Sequence, residues 1–209
     1  LSFAQPAMVV VGAGFISYFA TQIGIPFWIA FILGIILTGI LGFIIERTFL
    51  RPMVGEPVFS VAVLTIGIDI LLRVVLDNWI GINPKYMGDP FPSFGNFGSL
   101  SIGGITIKYL EVTALIISLI LIFVLSVFFK RSKYGVAMRA TSLDQEAALA
   151  QGINVGRVFG LVWFIAGLLA AFAGFFITGG FNALTNSSFI SALRALPAVV
   201  IGGLDSITG

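Results

Sequence analysis

Lys130-Arg131-Ser132-Lys133-Tyr134-Gly135, running on to Arg157, is a polar island between two long oily segments. Within it lies Ser142-Leu143-Asp144-Gln145-Glu146-Ala147-Ala148-Leu149-Ala150-Gln151-Gly152. This pattern predicts a short, self-contained helix over 142–152. Ser142 with Gln145 three residues on has the spacing of a capping box, Asp144 and Glu146 place acids in the first turn, and Gly152 supplies a left-handed stop. The alanines in its middle let another backbone come close. So short a helix is marginal alone in water and needs a surface to lie on. A lipid surface would call for a basic face opposite large apolar residues. Residues 142–152 hold two acids, no base and mainly alanine, which favours a groove on a partner protein.

The composition around the island names the solvent. Of 209 residues, 58% are hydrophobic and 10% charged, with a mean hydropathy of +1.11. A soluble domain carries about 25% charged residues, so this chain belongs in lipid. With no cysteine and no histidine, thiolate and imidazole metal sites, Ser–His or Cys nucleophiles, haem ligation and disulfides are excluded. A net charge of only +2 argues against nucleic acid as a partner. Leu1 opens the chain without a basic n-region, so no signal peptide is expected, and the chain reads as a fragment of a longer protein.

Working outward, the apolar runs predict an all-α polytopic membrane domain over 1–209 with about six spans, the last one partial. They fall near 7–23, 29–46, 57–79, 109–129, 158–179 and 189–203, each judged by the length needed to cross a bilayer. Gly34, Thr38 and Gly42 form a small-residue stripe on the second span, and Ala166, Ala170, Gly174 and Thr178 form another on the fifth. Residues 81–108, rich in Pro and Gly and then alternating through Leu100 to Ile107, predict an external loop holding a small β-hairpin. The sixth run is expected to break at Pro197 and to close at Gly202-Gly203, glycines that would permit a backbone break lining a cavity. Arg47, Arg51, Lys130, Arg131, Lys133, Arg139 and Arg157 fall on one side of these spans, Lys85 and Lys108 on the other. The positive-inside rule therefore puts loop 130–157 in the cytosol and the hairpin outside.

Asp69 and Arg73 sit one helical turn apart near the middle of the third span, where pairing lowers the cost of charge in hydrocarbon. They read either as a structural pair or as one wall of a translocation path. Arg194 could snorkel to an interface or face a water-filled path. Asn182, Asn186, Ser187 and Ser188 offer amides and hydroxyls to a polar solute, or form an ordinary turn.

Glu146-Ala147-Ala148, three residues, then Gly152 resembles the EAA–G loop of ABC-importer permeases. Leu1-Ser2-Phe3-Ala4-Gln5, Glu46-Arg47 with Arg51-Pro52, Tyr134-Gly135 with Arg139-Ala140, Gly152-Ile153-Asn154 with Arg157-Val158, and Gly202-Gly203-Leu204-Asp205-Ser206-Ile207 narrow the likeness. Together they resemble the branched-chain amino acid permease family, and its H-type subunit more than its M-type one. The resemblance covers essentially the whole chain and implies a first helix before Leu1 and final helices after Gly209. Gln5-Pro6 stands where the family usually has His-Gly, and Asp205 and Thr208 stand for Gly and Pro.

By that resemblance Ser142, Asp144, Glu146, Ala147, Ala148 and Gly152 couple the chain to ATP-binding cassette subunits. The family's substrate contacts map onto the Phe3-Ala4 break, with Gln5 behind it, and onto the region from Asn182 to Ser188. The implied partners are a second, related permease subunit, a periplasmic or surface solute-binding protein and the lipid bilayer of a prokaryotic inner membrane. No cofactor is implied for the chain itself: it holds no G-x-x-x-x-G-K-[ST] phosphate loop, so ATP would be hydrolysed by partners. The implied solutes are leucine, isoleucine and valine, with urea, short amides or other amino acids as alternatives. A self-sufficient channel or secondary transporter would need its own coupling carboxylates, for which Asp69 and Asp205 are the candidates. An intramembrane aspartyl protease would need those two to share one site.

Overall fold

A computed structural model describes residues 2–80, 85–87, 99–102, 105–179, 184–185 and 188–202. The helices are α1 (Gln5–Ser17), α2 (Phe27–Ile45), α3 (Val58–Ile80), α4 (Tyr109–Arg131), α5 (Lys133–Leu143), α6 (Gln145–Ala150), α7 (Val155–Thr178), α8 (Ser188–Leu193) and α9 (Ala195–Gly202). Strands β1 (Ser99–Ile102) and β2 (Ile105–Lys108) pair antiparallel, Ser99 opposite Lys108 and Ile102 opposite Ile105. Among the described residues, four stretches are long and apolar enough to cross a membrane: Phe27–Met53, Phe59–Trp79, Tyr109–Arg131 and Val155–Thr178.

The centre of the bundle is α1, enclosed by α2, α3, α7 and α8. From Pro6 to Ser17 it is buried at every position except Phe15. Small residues make this possible, because lipid tails give no hydrophobic drive between helices and close van der Waals contact must do the work. A Cβ on Gly12 would lie 2.5 Å from the Ala171 Cα, and one on Gly174 would collide with the Val9 carbonyl. The α2–α7 seam is as tight: a Cβ on Gly167 would lie 2.5 Å from the Thr38 carbonyl oxygen. Gly34, Thr38 and Gly42 are buried on α2, and Ala170, Gly174 and Thr178 on α7. The buried Thr38 and Thr178 hydroxyls donate back to the carbonyls of Gly34 and Gly174, each at 2.7 Å, so neither is stranded.

Two helices widen where they end. α1 runs into a π-helical turn over Tyr18–Gln22 and α2 into another over Glu46–Leu50. In the second, Glu46 and Leu50 are buried while Arg47, Thr48 and Phe49 are exposed. Such turns carry an inserted residue and are frequent at functional positions.

The last apolar run departs from expectation. It does not break at Pro197; it parts at Arg194, between α8 and α9. The reason is that Pro197 has no N–H for the carbonyl four residues back, and its ring crowds that carbonyl. That residue is Leu193, where α8 stops, so Pro197 instead occupies the first turn of α9. Gly203, Asn182, Asn186, Ser187 and Asp205 lie outside the described residues.

Candidate functional site

The polar island folds as two helices rather than one, and its cap is not the one expected. Ser132 opens α5, its Oγ accepting from the Gly135 N–H at 2.8 Å. Ser142 lies inside α5 and donates to the Arg139 carbonyl at 2.8 Å. Asp144, extended at φ −155°, both ends α5 and caps α6: its Oδ1 accepts from the Glu146 and Ala147 N–H groups at 2.9 and 3.0 Å. A carboxylate outcompetes a hydroxyl here because it can take two orphan N–H groups and also answers the helix dipole.

α6 closes with the stop that Gly152 foretells. Gly152 sits at φ +79°, its N–H donates to the Leu149 carbonyl at 2.9 Å, and the Ile153 N–H reaches the Ala148 carbonyl at 3.0 Å. That pair of bonds is a Schellman motif. The Asn154 Oδ1 then accepts from the Arg157 N–H at 3.0 Å and starts α7. Of α6 only Ala148 is buried; Asp144, Glu146 and Ala147 are exposed. Leu143 and Leu149 are 88% and 56% exposed, an apolar surface on a stiff, doubly capped projection.

A second polar group lies inside the bundle. Thr65 and Asp69, one turn apart on α3, reach across to the start of α1. The Thr65 Oγ1 accepts from the Phe3 N–H at 3.1 Å, and the Asp69 Oδ1 from the Ala7 N–H at 3.2 Å. Pro6 has no N–H to offer, so these bonds settle much of the need of that buried helix end, where a carboxylate is also welcomed by the dipole. Asp69 forms an ion pair with Arg73 as well. The Arg73 guanidinium lies 3.7 Å from the centre of the Phe189 ring. Ala7, Val10, Arg73, Leu76, Asp77 and Phe189 bound a cavity of about 230 Å³.

A larger cavity, about 370 Å³, opens where α1, α3, α6, α7 and the π-helical turn after α2 meet. Ser2, Gln5, Glu46 and Thr65 are among its polar walls, and Gln145 brings the first residue of α6 into it. The structure thus joins Phe3, Asp69 and Arg73 around the start of α1, and Gln5 with α6 around this cavity. Arg194 is exposed at the α8–α9 joint and Gly202 ends α9. Sequence reasoning missed Glu46 and Thr65. Glu46 does leave a trace, since an acid in the last turn of a helix opposes the dipole and needs a reason to be there. Among the described residues no group of three or more acids could hold a metal ion.

The family model for the permease component of branched-chain amino acid transport systems matches residues 1–209. The chain belongs to that family. It is 29% identical over 181 residues to the high-affinity branched-chain amino acid transport system permease protein BraD of Pseudomonas aeruginosa, covering 86% of this chain and 59% of BraD. It is 28% identical over 186 residues to LivH of Escherichia coli K12, with 86% and 58% covered. A more distant relative is the galactose/methyl galactoside import permease MglC of Haemophilus influenzae, 29% identical over 140 residues. The chain therefore spans under three fifths of the length of BraD and LivH. No solved structure matches it. Family and apolar helices together make this chain part of a multi-pass membrane protein.

Proposed function

We propose that this chain is the permease subunit of an ATP-driven importer in the inner membrane of a prokaryote, carrying leucine, isoleucine, valine or closely related solutes. Family membership supports the solute class. The observation that carries the mechanism is α6: a short helix capped at both ends, presenting Glu146, Ala147 and the exposed Leu149, with the exposed Leu143 beside it at the end of α5. Seated in a groove on an ATP-binding subunit, α6 hands motion directly to α5 and α7, to which it is joined by single-residue and few-residue links. Closing of the ATP-binding pair would then rock the bundle between outward- and inward-open forms. The chain supplies positioning and path, and its partners supply the hydrolysis.

On this reading the bundle has about six spans, α8 and α9 belonging to the last. Loop 130–157 lies in the cytosol, and the β1–β2 hairpin faces a solute-binding protein outside. A second, related permease subunit completes the path. Asp69, Arg73, Phe3 and Gln5 border it on this side, with Arg194 and Gly202 beside the last span.

The test is uptake of labelled leucine into vesicles holding the full-length chain with its partner permease and binding protein, with and without the ATP-binding subunits. ATP-dependent uptake only with those subunits supports the proposal. Uptake driven by an ion gradient in their absence overturns it.

A further inference from the structure

Two stranded polar atoms point to a ligand site at the α6 end of the bundle. Glu46 is 1% exposed, and its Oε1 has no hydrogen-bond partner among the described residues. The Ser2 Oγ is also buried without a partner among them. Both residues line the 370 Å³ cavity. Buried carboxylates and hydroxyls are ordinarily satisfied, because an unmade bond forfeits the full cost of leaving water. Two such atoms on residues that line one cavity point to a complementary guest. The carboxylate calls for a cationic donor and the Ser2 hydroxyl can donate to an anion. The Gln5 amide stands on the same wall, whereas the Thr65 hydroxyl is already engaged by the Phe3 N–H and the Ala62 carbonyl. The rest of the wall is mostly apolar, Leu50, Val61, Phe159, Val162 and Trp163 among it, with Glu56 adding a second acid and Gln145 an amide.

We propose that this cavity is a site for a zwitterion with an apolar body, its ammonium group held by Glu46 and its carboxylate by Ser2 and Gln5. The assignment rests on the transport reading for its physiological meaning, and names the free apolar α-amino acid as the guest. Its position matters because Gln145, the first residue of α6, forms part of the wall. A guest in the cavity touches the helix proposed to seat on the ATP-binding subunit, so occupancy and seating of that helix are linked. The π-helical turn at Glu46–Leu50 serves this arrangement, turning both Glu46 and Leu50 inward at the end of α2.

Trp163 lines the cavity and reports on it. The full-length chain is prepared in lipid nanodiscs with Trp163 as its sole tryptophan, without ATP-binding subunits, and titrated with three probes of similar bulk. L-leucine carries both charges, 3-methylbutylamine only the ammonium, and 4-methylpentanoate only the carboxylate. The expected order is a saturable Trp163 response with leucine, a weaker one with the amine, and none with the acid. Glu46→Gln should weaken leucine by about tenfold or more, the scale of a hydrogen bond to a charged group. Ser2→Ala should weaken leucine while leaving the amine unchanged. A response to 4-methylpentanoate as strong as that to leucine overturns the proposal, as does leucine binding that ignores Glu46→Gln. If Glu46→Gln does not insert, the order of the three probes on the parent chain still decides. Failure of ATP-driven uptake with this probe order intact would sink the transport reading and keep the site. Intact uptake with a silent Trp163 would sink the site alone.

Discussion

Removing the Asp69 carboxylate should cost the bundle more than removing its charge, and the geometry sets the difference. Asp69 does two things: it accepts the Ala7 N–H at 3.2 Å and pairs with Arg73. Asp69→Ala leaves that N–H unpaired inside the bundle, a loss of about 1–3 kcal/mol, with the lower half favoured because hydrogen bonds in membranes measure weaker. It also strips Arg73 of its counter-ion. Breaking a fully buried pair costs about 3–5 kcal/mol, but the Arg73 side chain is 33% exposed and keeps the Phe189 face, so about 1–2 kcal/mol is the fair share. The total for Asp69→Ala is then roughly 2–4 kcal/mol. Asp69→Asn retains an oxygen for the Ala7 N–H and should lose only the ionic part, about 1–2 kcal/mol. In Asp69→Asn with Arg73→Met the orphaned cation is gone, so the double variant should cost less than the two single changes added, by about 1 kcal/mol. The assay is reversible unfolding in mixed micelles followed by circular dichroism. If Asn and Ala are equally harmful, the Ala7 bond contributes nothing. If the cycle is additive, Asp69 and Arg73 are not coupled and the double role of this carboxylate is refuted.

Other substitutions probe the remaining contacts. Asp144→Ala should lower affinity for the ATP-binding subunits and destabilise α6 by about 1 kcal/mol, while Ser142→Ala should be nearly silent; co-purification yields separate the two. Glu146→Lys should leave insertion intact and uncouple ATP hydrolysis from uptake, measured side by side in vesicles. Gly174→Ala should force α1 and α7 apart at the Val9 carbonyl and cost about 1–3 kcal/mol, whereas Gly67→Ala on α3, with open space around it, should be neutral or slightly stabilising by the same unfolding assay.

The island at 130–157 is legible in outline because its signals are local. Gly152 stops α6 as its residue type demands, and acids do gather at the start of that helix. Which residue caps it is not legible, since Ser142 and Asp144 both satisfy a cap pattern and only the chain's geometry chooses the stronger acceptor. The small-residue stripes on α2 and α7 are visible as spacing, but not what they meet. That α1 occupies the middle, with Gly12 against Ala171, is a long-range fact that no local period encodes. The same holds for Asp69. Its neighbour Arg73 can be read from the i, i+4 spacing, whereas the Ala7 N–H belongs to another helix. Glu46 reads as the polar end of a span because it sits beside Arg47; its burial depends on the π-helical turn. The break at Arg194 instead of Pro197 is within reach of the sequence once the proline is charged with its effect one turn upstream.

The enclosure of α1 has a bearing on how the protein is made. α1 is synthesised early, yet the surface that Gly12 and Gly174 bring together includes α7, which leaves the ribosome after α2, α3 and α4 have all been threaded. Until then the groove along α1 is vacant. Its glycines and alanines, which let backbones meet, are open meanwhile to any passing helix with a small-residue stripe of its own. Maturation of this bundle is therefore a matter of keeping a seat free, and the hazard it faces in the cell is a wrong occupant arriving before α7 does.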